Sequence, residues 1–138
     1  MVYLSYLPLL IDWALLLVRV VVGLIFLAHG WPKLANLRTT WQNFEFMGFK
    51  PGIFWGTIVA LVETFGGLLM LTGWYVEYAG ILLTADMFVA TLWKLKRGQK
   101  LVGGYELDLL VMSASFLMAT LGPGIYSLEN YLGGTIGY

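Results

Sequence analysis

The stretch LLIDWALLLVRVVVGLIFLAHGW, residues 9–31, decides the fold class. Crossing the hydrocarbon core of a bilayer takes about 20 residues of helix, and this run from near Leu9 to Trp31 meets that length. Three similar runs follow, from near Ile53 to Trp74, near Val76 to Leu95 and near Leu101 to Leu121. Arg19 interrupts the first run, which lacks a basic leader and a small-x-small cleavage site, so it is expected to remain as a membrane span. Of the 138 residues, 59% are hydrophobic and 12% charged. Soluble domains carry roughly a quarter charged residues, and helices that are apolar nearly all round need lipid about them. The expected fold class is therefore all-α: a polytopic membrane protein, one integral membrane domain over residues 1–138, built as an antiparallel four-transmembrane-helix bundle.

The connections refine this picture. Gly73-Trp74-Tyr75 predicts a tight turn, so spans two and three should pack as an antiparallel hairpin, and Lys94 to Lys100 predicts a second short turn. The link from Lys33 to Gly52 is longer and holds Trp41, Phe44, Phe46, Met47 and Phe49. That is too apolar for a solvated loop and predicts a short interfacial helix between spans one and two. Seven of the eight basic residues lie in the first and third connections: Lys33, Arg38, Lys50, Lys94, Lys96, Arg97 and Lys100. Basic connections stay cytoplasmic, so a multi-pass protein of the inner (plasma) membrane is expected, with both termini non-cytoplasmic.

Composition also excludes chemistry. Formal net charge is zero, which leaves no basic face for nucleic acid. With no cysteine and one histidine, the chain offers neither an iron–sulfur cluster nor a bis-histidine haem, and no dinucleotide motif follows a strand. His29 with Glu106 and Asp108 has no diagnostic ligand spacing, so no metal site is expected.

Six ionisable groups in or at the edge of the spans are singled out: Arg19, His29, Glu63, Asp86, Glu106 and Asp108. An isolated charge at mid-bilayer costs about 2.5–3.5 kcal/mol on insertion scales, so each should face the interior and find a partner. Counted from the span ends, Arg19, Glu63 and Asp86 fall near the midplane as a buried charge network. Arg19 is expected to contact Glu63, with Asp86 close by and favouring its protonated form. Arg19, Gly23, Phe26, Gly30 and Lys33 recur at spacings of 4, 3, 4 and 3 along one helix face, whose glycines admit a close neighbour. His29, Glu106 and Asp108 form a second tier. Glu106 and Asp108 lie about 200° apart around a helix, so Glu106 is assigned to a pocket and Asp108 to a partner on a neighbouring element. Pro32 is expected to end or kink span one. One pocket lined by Phe26, His29, Trp31, Tyr105 and Glu106 is the result.

Arg19, the run His29-Gly30-Trp31-Pro32-Lys33, Glu63 with Gly66-Gly67, and Gly103-Gly104-Tyr105-Glu106 together resemble the DoxX family, as does Leu121-Gly122-Pro123-Gly124-Ile125-Tyr126-Ser127. The resemblance implies a small four-helix prokaryotic membrane protein linked to membrane redox complexes, the namesake resembling a subunit of thiosulfate:quinone oxidoreductase. It marks Arg19, His29, Lys33, Glu63 and Glu106 as positions to watch. Asp86 is a less dependable part of the pattern. On this reading the protein is a quinone-linked subunit of a membrane oxidoreductase system. His29, Tyr105 and Glu106 are the catalytic residues, and Phe26, Trp31 and Lys33 bind the ligand. Quinone is the expected cofactor; lipid, other membrane or redox subunits and a further copy of the chain are the expected partners. Two alternatives stand beside it, a non-catalytic accessory or assembly subunit and, further behind, a passage for protons or a small anion.

Overall fold

The computed structural model describes residues 7–133, which are helical with irregular turns and hold no strand. The order is α1 (Leu7–Ala35), α2 (Leu37–Met47), α3 (Gly52–Thr72), α4 (Val76–Lys96), α5 (Glu106–Leu121) and a single turn, α6 (Leu128–Tyr131). Among the described residues, four segments are long and apolar enough to cross a membrane: most of α1, then α3, α4, and α5 with the turn leading into it. The bundle and the extra helix after span one are as the sequence predicts.

Local chemistry sets the element ends. The Asn36 side chain accepts from Thr39 N at 3.4 Å and caps α2. Glu45 on α2 accepts from Gly52 N at 2.6 Å, serving a first-turn amide of α3 that has no helical partner. Trp41 Nε1 donates to Thr57 Oγ1 at 2.8 Å, so α2 is fastened along the start of α3. Gly73 closes α3 at φ 71°, a left-handed conformation that glycine adopts without steric cost. The tight turn to α4 follows directly.

Three details differ from expectation. Pro32 does not end α1, which continues to Ala35. Proline removes one helical hydrogen bond, but the last turn is held from outside: Lys33 pairs with Glu63, and Thr40 Oγ1 donates to the Lys33 carbonyl at 2.9 Å. The fourth span runs from Leu101 to Leu121 as expected, but its regular helix starts only at Glu106, because Val102 and Gly103 have non-helical backbones. At 1.5 Å per residue, the 16 residues of that helix span about 24 Å. Finally, α3 and α4 form a hairpin but not the tightest pair; α1 packs chiefly on α3 and α4 chiefly on α5.

Glycine placement explains the pairing. A Cβ on Gly30 would lie 2.5 Å from Thr64 N, and one on Gly67 would lie 2.9 Å from the Gly23 carbonyl oxygen. On the other pair, a Cβ on Gly80 would lie 2.7 Å from the Ser115 carbonyl oxygen. Backbones thus meet directly in both pairs. Between α3 and α4 the contact at Gly66 is the Leu83 side chain. That bulky spacer joins a core of Val22, Phe26, Met70, Leu83, Val111 and Met118 near the α3–α4 turn. Towards the other end α3 and α4 leave a cavity between them, closed on one side by α2.

Candidate functional site: a charged cavity between α3 and α4

The cavity measures about 460 Å³ and is lined by four ionisable side chains, Lys33, Glu63, Asp86 and Lys94. Aromatic walls come from Phe44 on α2, Phe49, Trp55 on α3 and Trp93 on α4. Trp55, Ile58, Leu82 and Val89 also line it and are exposed, so its mouth faces the hydrocarbon between α3 and α4. Glu63 is the twelfth residue of α3 and Asp86 the eleventh of α4, each helix having 21. Both acids therefore sit at mid-helix, as their sequence positions predict.

Lys33 Nζ lies 2.7 Å from Glu63 Oε1 and 2.5 Å from Oε2. The Glu63 side chain is 4% exposed and that of Lys33 31%, so the carboxylate is sealed while the lysine reaches a wetter edge. Lys94 Nζ lies 2.8 Å from Asp108 Oδ2 and 3.0 Å from Oδ1. Asp86 lines the same cavity as Glu63, and its Oδ2 is buried without a hydrogen-bond partner. No Lys or Arg pairs with Asp86 among the described residues.

These pairings follow from side-chain direction. Each Cα–Cβ bond in a helix tilts towards the N-terminus. Lys33 and Lys94 stand near the ends of α1 and α4 and lean back into the bundle. Glu63 and Asp108 belong to antiparallel α3 and α5 and lean the opposite way to meet them. By the same tilt, Arg19 leans away from Glu63.

Arg19 departs from expectation. It is 2% exposed, and its Nη1 and Nη2 donate to the carbonyls of Pro123 and Tyr126, each at 2.5 Å. A Cβ on Gly73 would lie 2.6 Å from Arg19 Nη1, which places the guanidinium level with the α3–α4 turn. Against α3, α1 is shifted outward, with Gly30 beside Glu63, and α2 covers the start of α3 in its place. The expected network thus divides: Glu63 and Asp86 stay together, Lys33 replaces Arg19, and Arg19 belongs to the opposite end.

The expected pocket of Phe26, His29, Trp31, Tyr105 and Glu106 is not assembled. Phe26 is in the core at 1% exposure, whereas His29 and Trp31 point outward. His29 Nδ1 is 2.8 Å from the Ile25 carbonyl of its own helix. Glu106 is exposed and accepts from Gly103 N at 3.0 Å, supporting the turn before α5. Tyr105 is half-buried in that same turn. Of the named ligand-binding residues, Lys33 alone lines the cavity. Asp108 has the neighbouring-helix partner expected of it, and Lys94 is the site residue that the sequence reading passed over.

A charged, lipid-facing cavity inside four short spans defines a small multi-pass membrane protein with a buried acid–lysine site, in contact with the bilayer. Residues 14–95 match the DoxX family, and the chain belongs to it. That segment carries every cavity residue named above. The chain is 28% identical over 117 residues to "Putative oxidoreductase CatD" of Bacillus subtilis (strain 168), covering 85% of each protein. It is 30% identical over 127 residues to "Inner membrane protein YqjF" of Escherichia coli (strain K12), covering 88% of this chain and 93% of the relative. No solved structure gives a significant match.

Proposed function

We propose that this DoxX protein is the quinone-binding membrane subunit of an oxidoreductase system, and that the cavity between α3 and α4 is its quinone site. The observation that carries this is the combination of apolar aromatic walls with Asp86, whose buried Oδ2 lacks a partner. Its volume lies within the roughly 300–1,000 Å³ of ordinary ligand pockets. Lipid-soluble ligands would enter from the hydrocarbon past Trp55 and Val89, without crossing water. Asp86 and Lys94 would offer the polar contacts, and Phe44 and Trp93 the stacking surfaces. A bound quinone supplies reversible two-electron, two-proton chemistry. Electrons must come from another subunit, since the chain has no cysteine and a single histidine. The name of the Bacillus subtilis relative supports the oxidoreductase setting.

Titrating a short-chain quinone into detergent-solubilised protein should quench the fluorescence of Trp55 and Trp93 saturably. Ala90→Trp, which fills the cavity, should abolish saturation. Asp86→Leu, which removes the hydrogen-bonding group, should weaken binding about tenfold, the worth of one good hydrogen bond. Linear, unsaturable quenching that Ala90→Trp leaves unchanged would show mere partition into the micelle and favour the accessory-subunit reading.

We also propose that the termini face away from the cytoplasm. The first and third connections meet at one end of the bundle, where Trp93 Nε1 donates to the Met47 carbonyl at 3.0 Å. The basic residues of both connections therefore gather on one side, the side retained in the cytoplasm. At the other end Glu129 N donates to the Gly73 carbonyl at 3.2 Å. The chain has no native cysteine, so Gln99→Cys and Tyr131→Cys give single labelling sites. In intact cells an impermeant maleimide should modify Cys at 131 and spare Cys at 99. The reverse pattern would invert the assignment.

A further inference from the structure

We propose that Lys94 donates a hydrogen bond to the head-group oxygen of a ligand in the cavity, and that Asp108 and the Gly103-Gly104-Tyr105-Glu106 turn are the clamp that positions it. This deepens the quinone reading and rests on it only for the identity of the ligand. Lys94 lines the cavity, whereas neither Asp108 nor any residue of the turn does. The lysine therefore has its clamp on the α5 side and the aromatic walls on the other.

An ammonium carries three donors and no acceptor. Asp108 Oδ1 accepts one hydrogen bond at 3.0 Å and the Gly104 carbonyl a second at 3.3 Å. Asp108 Oδ2 stands 2.8 Å from Nζ and adds charge without a hydrogen bond of its own. The third hydrogen has no protein acceptor among the described residues. With Asp108 and Gly104 both outside the cavity, that hydrogen is left for an acceptor held within it. A ketone oxygen, which accepts and cannot donate, is such a group. A cation so placed also favours negative charge on that oxygen.

The local sequence builds the clamp. Lys94 is the nineteenth of the 21 residues of α4, and Asp108 the third of α5. Between them Val102 is extended and Gly103 is left-handed at φ 75°, a conformation that glycine adopts without steric cost. The chain thus turns within a few residues and brings the Gly104 carbonyl to Lys94. Glu106 Oε1 accepts from Gly103 N at 3.0 Å and holds the turn. The glycine–glycine–tyrosine–glutamate motif serves the cavity at one remove, through the lysine it fastens.

Fluorescence titration with a decyl-substituted benzoquinone in detergent tests the donor. Lys94→Met should weaken binding about tenfold or more, the worth of a hydrogen bond from a charged group. Asp108→Leu strands Lys94, which at 27% side-chain exposure can swing its ammonium to water, and should cause most of the same loss. Asp108→Asn keeps an acceptor in place and should recover part of the affinity. In the Lys94→Met background, Asp108→Leu should weaken binding no further. A salt bridge that only ties α4 to α5 would lower the unfolding temperature in Asp108→Leu and leave the affinity of the folded protein unchanged.

The clamp is also read without ligand. In protein labelled with 15N-lysine, clamped ammonium hydrogens exchange slowly and should give a resolved Nζ signal, assigned by its loss in Lys94→Met. Asp108→Leu should abolish that signal, and Gly103→Ala, strained at the left-handed position, should weaken it. Circular dichroism checks that each variant is folded. Absence of the signal in the wild type, or additive losses of affinity, overturns the proposal. Saturable quinone binding that folded Lys94→Met and Asp108→Leu leave unchanged sinks this inference and keeps the quinone reading. The Nζ signal in a protein that binds no quinone saturably does the reverse.

Discussion

Lys33→Met should lower the unfolding temperature in detergent sharply, and Glu63→Met should largely cancel that loss. Removing one member of a buried ion pair strands the other at a cost of about 3–5 kcal/mol. The two members are not equivalent here. Glu63 is sealed at 4% side-chain exposure, whereas Lys33 at 31% can swing its ammonium to water. Lys33→Met should therefore carry the full penalty and Glu63→Met a smaller one. In the Glu63→Met background, Lys33→Met should cost little, since no carboxylate remains at position 63 to be stranded. Thermal unfolding of the four proteins in one detergent measures the coupling. Arg19→Met with Glu63→Met serves as the contrast, and their effects should add because the residues belong to opposite ends. Additive losses for Lys33 and Glu63, or coupling between Arg19 and Glu63, would contradict the assigned pairs.

The choice of cation for Glu63 shows how much of the site was legible in the sequence and where it stopped. Spacings of 4, 3, 4 and 3 place Arg19, Gly23, Phe26, Gly30 and Lys33 on one face, and that face does meet α3. The same phase turns His29 and Trp31 about 100° from Gly30 on either side. It thus contained the reason that neither reaches the cavity, although aromatic and histidine chemistry argued for them. Depth was harder to read. Counting from span ends makes Arg19 and Glu63 level, but α1 is docked outward along α3 because Gly30 seats on Glu63 and Thr64. No residue pattern within one helix announces such an offset; it arises where two glycine seams come into register. The N-terminal tilt of side chains would have separated Arg19 from Glu63 and joined Lys33 to it. Lys94 was hidden by its place in a basic turn, where it counted as a topology signal rather than as the partner of Asp108. The cavity itself depends on the contrast between Gly23, Gly30, Gly67 and Gly80, which draw backbones together, and Leu83, which holds α3 and α4 apart.

Arg19→Met should release the segment after α5 while leaving the cavity intact. The Arg19 guanidinium is buried and joins α1 to the carbonyls of Pro123 and Tyr126. Two further links hold the segment, Ile125 N to Asp12 Oδ1 at 3.2 Å and Glu129 N to the Gly73 carbonyl at 3.2 Å. Hydrogen bonds from a charged donor contribute about 1.5–3 kcal/mol each, so Arg19 supplies most of the anchorage. Lysine places a point charge where arginine presents a rigid fork; Arg19→Lys should keep one carbonyl contact and release the segment partly. Hydrogen exchange at residues 122–131 should accelerate strongly in Arg19→Met and by an intermediate factor in Arg19→Lys. Exchange in α3 and α4 around Glu63 and Asp86 should stay as in the wild type. Unchanged protection of residues 122–131 in Arg19→Met would show that the bonds to Asp12 and Gly73 suffice. Faster exchange around Glu63 and Asp86 in the same variant would mean that Arg19 acts on the two acids after all, through the length of α1.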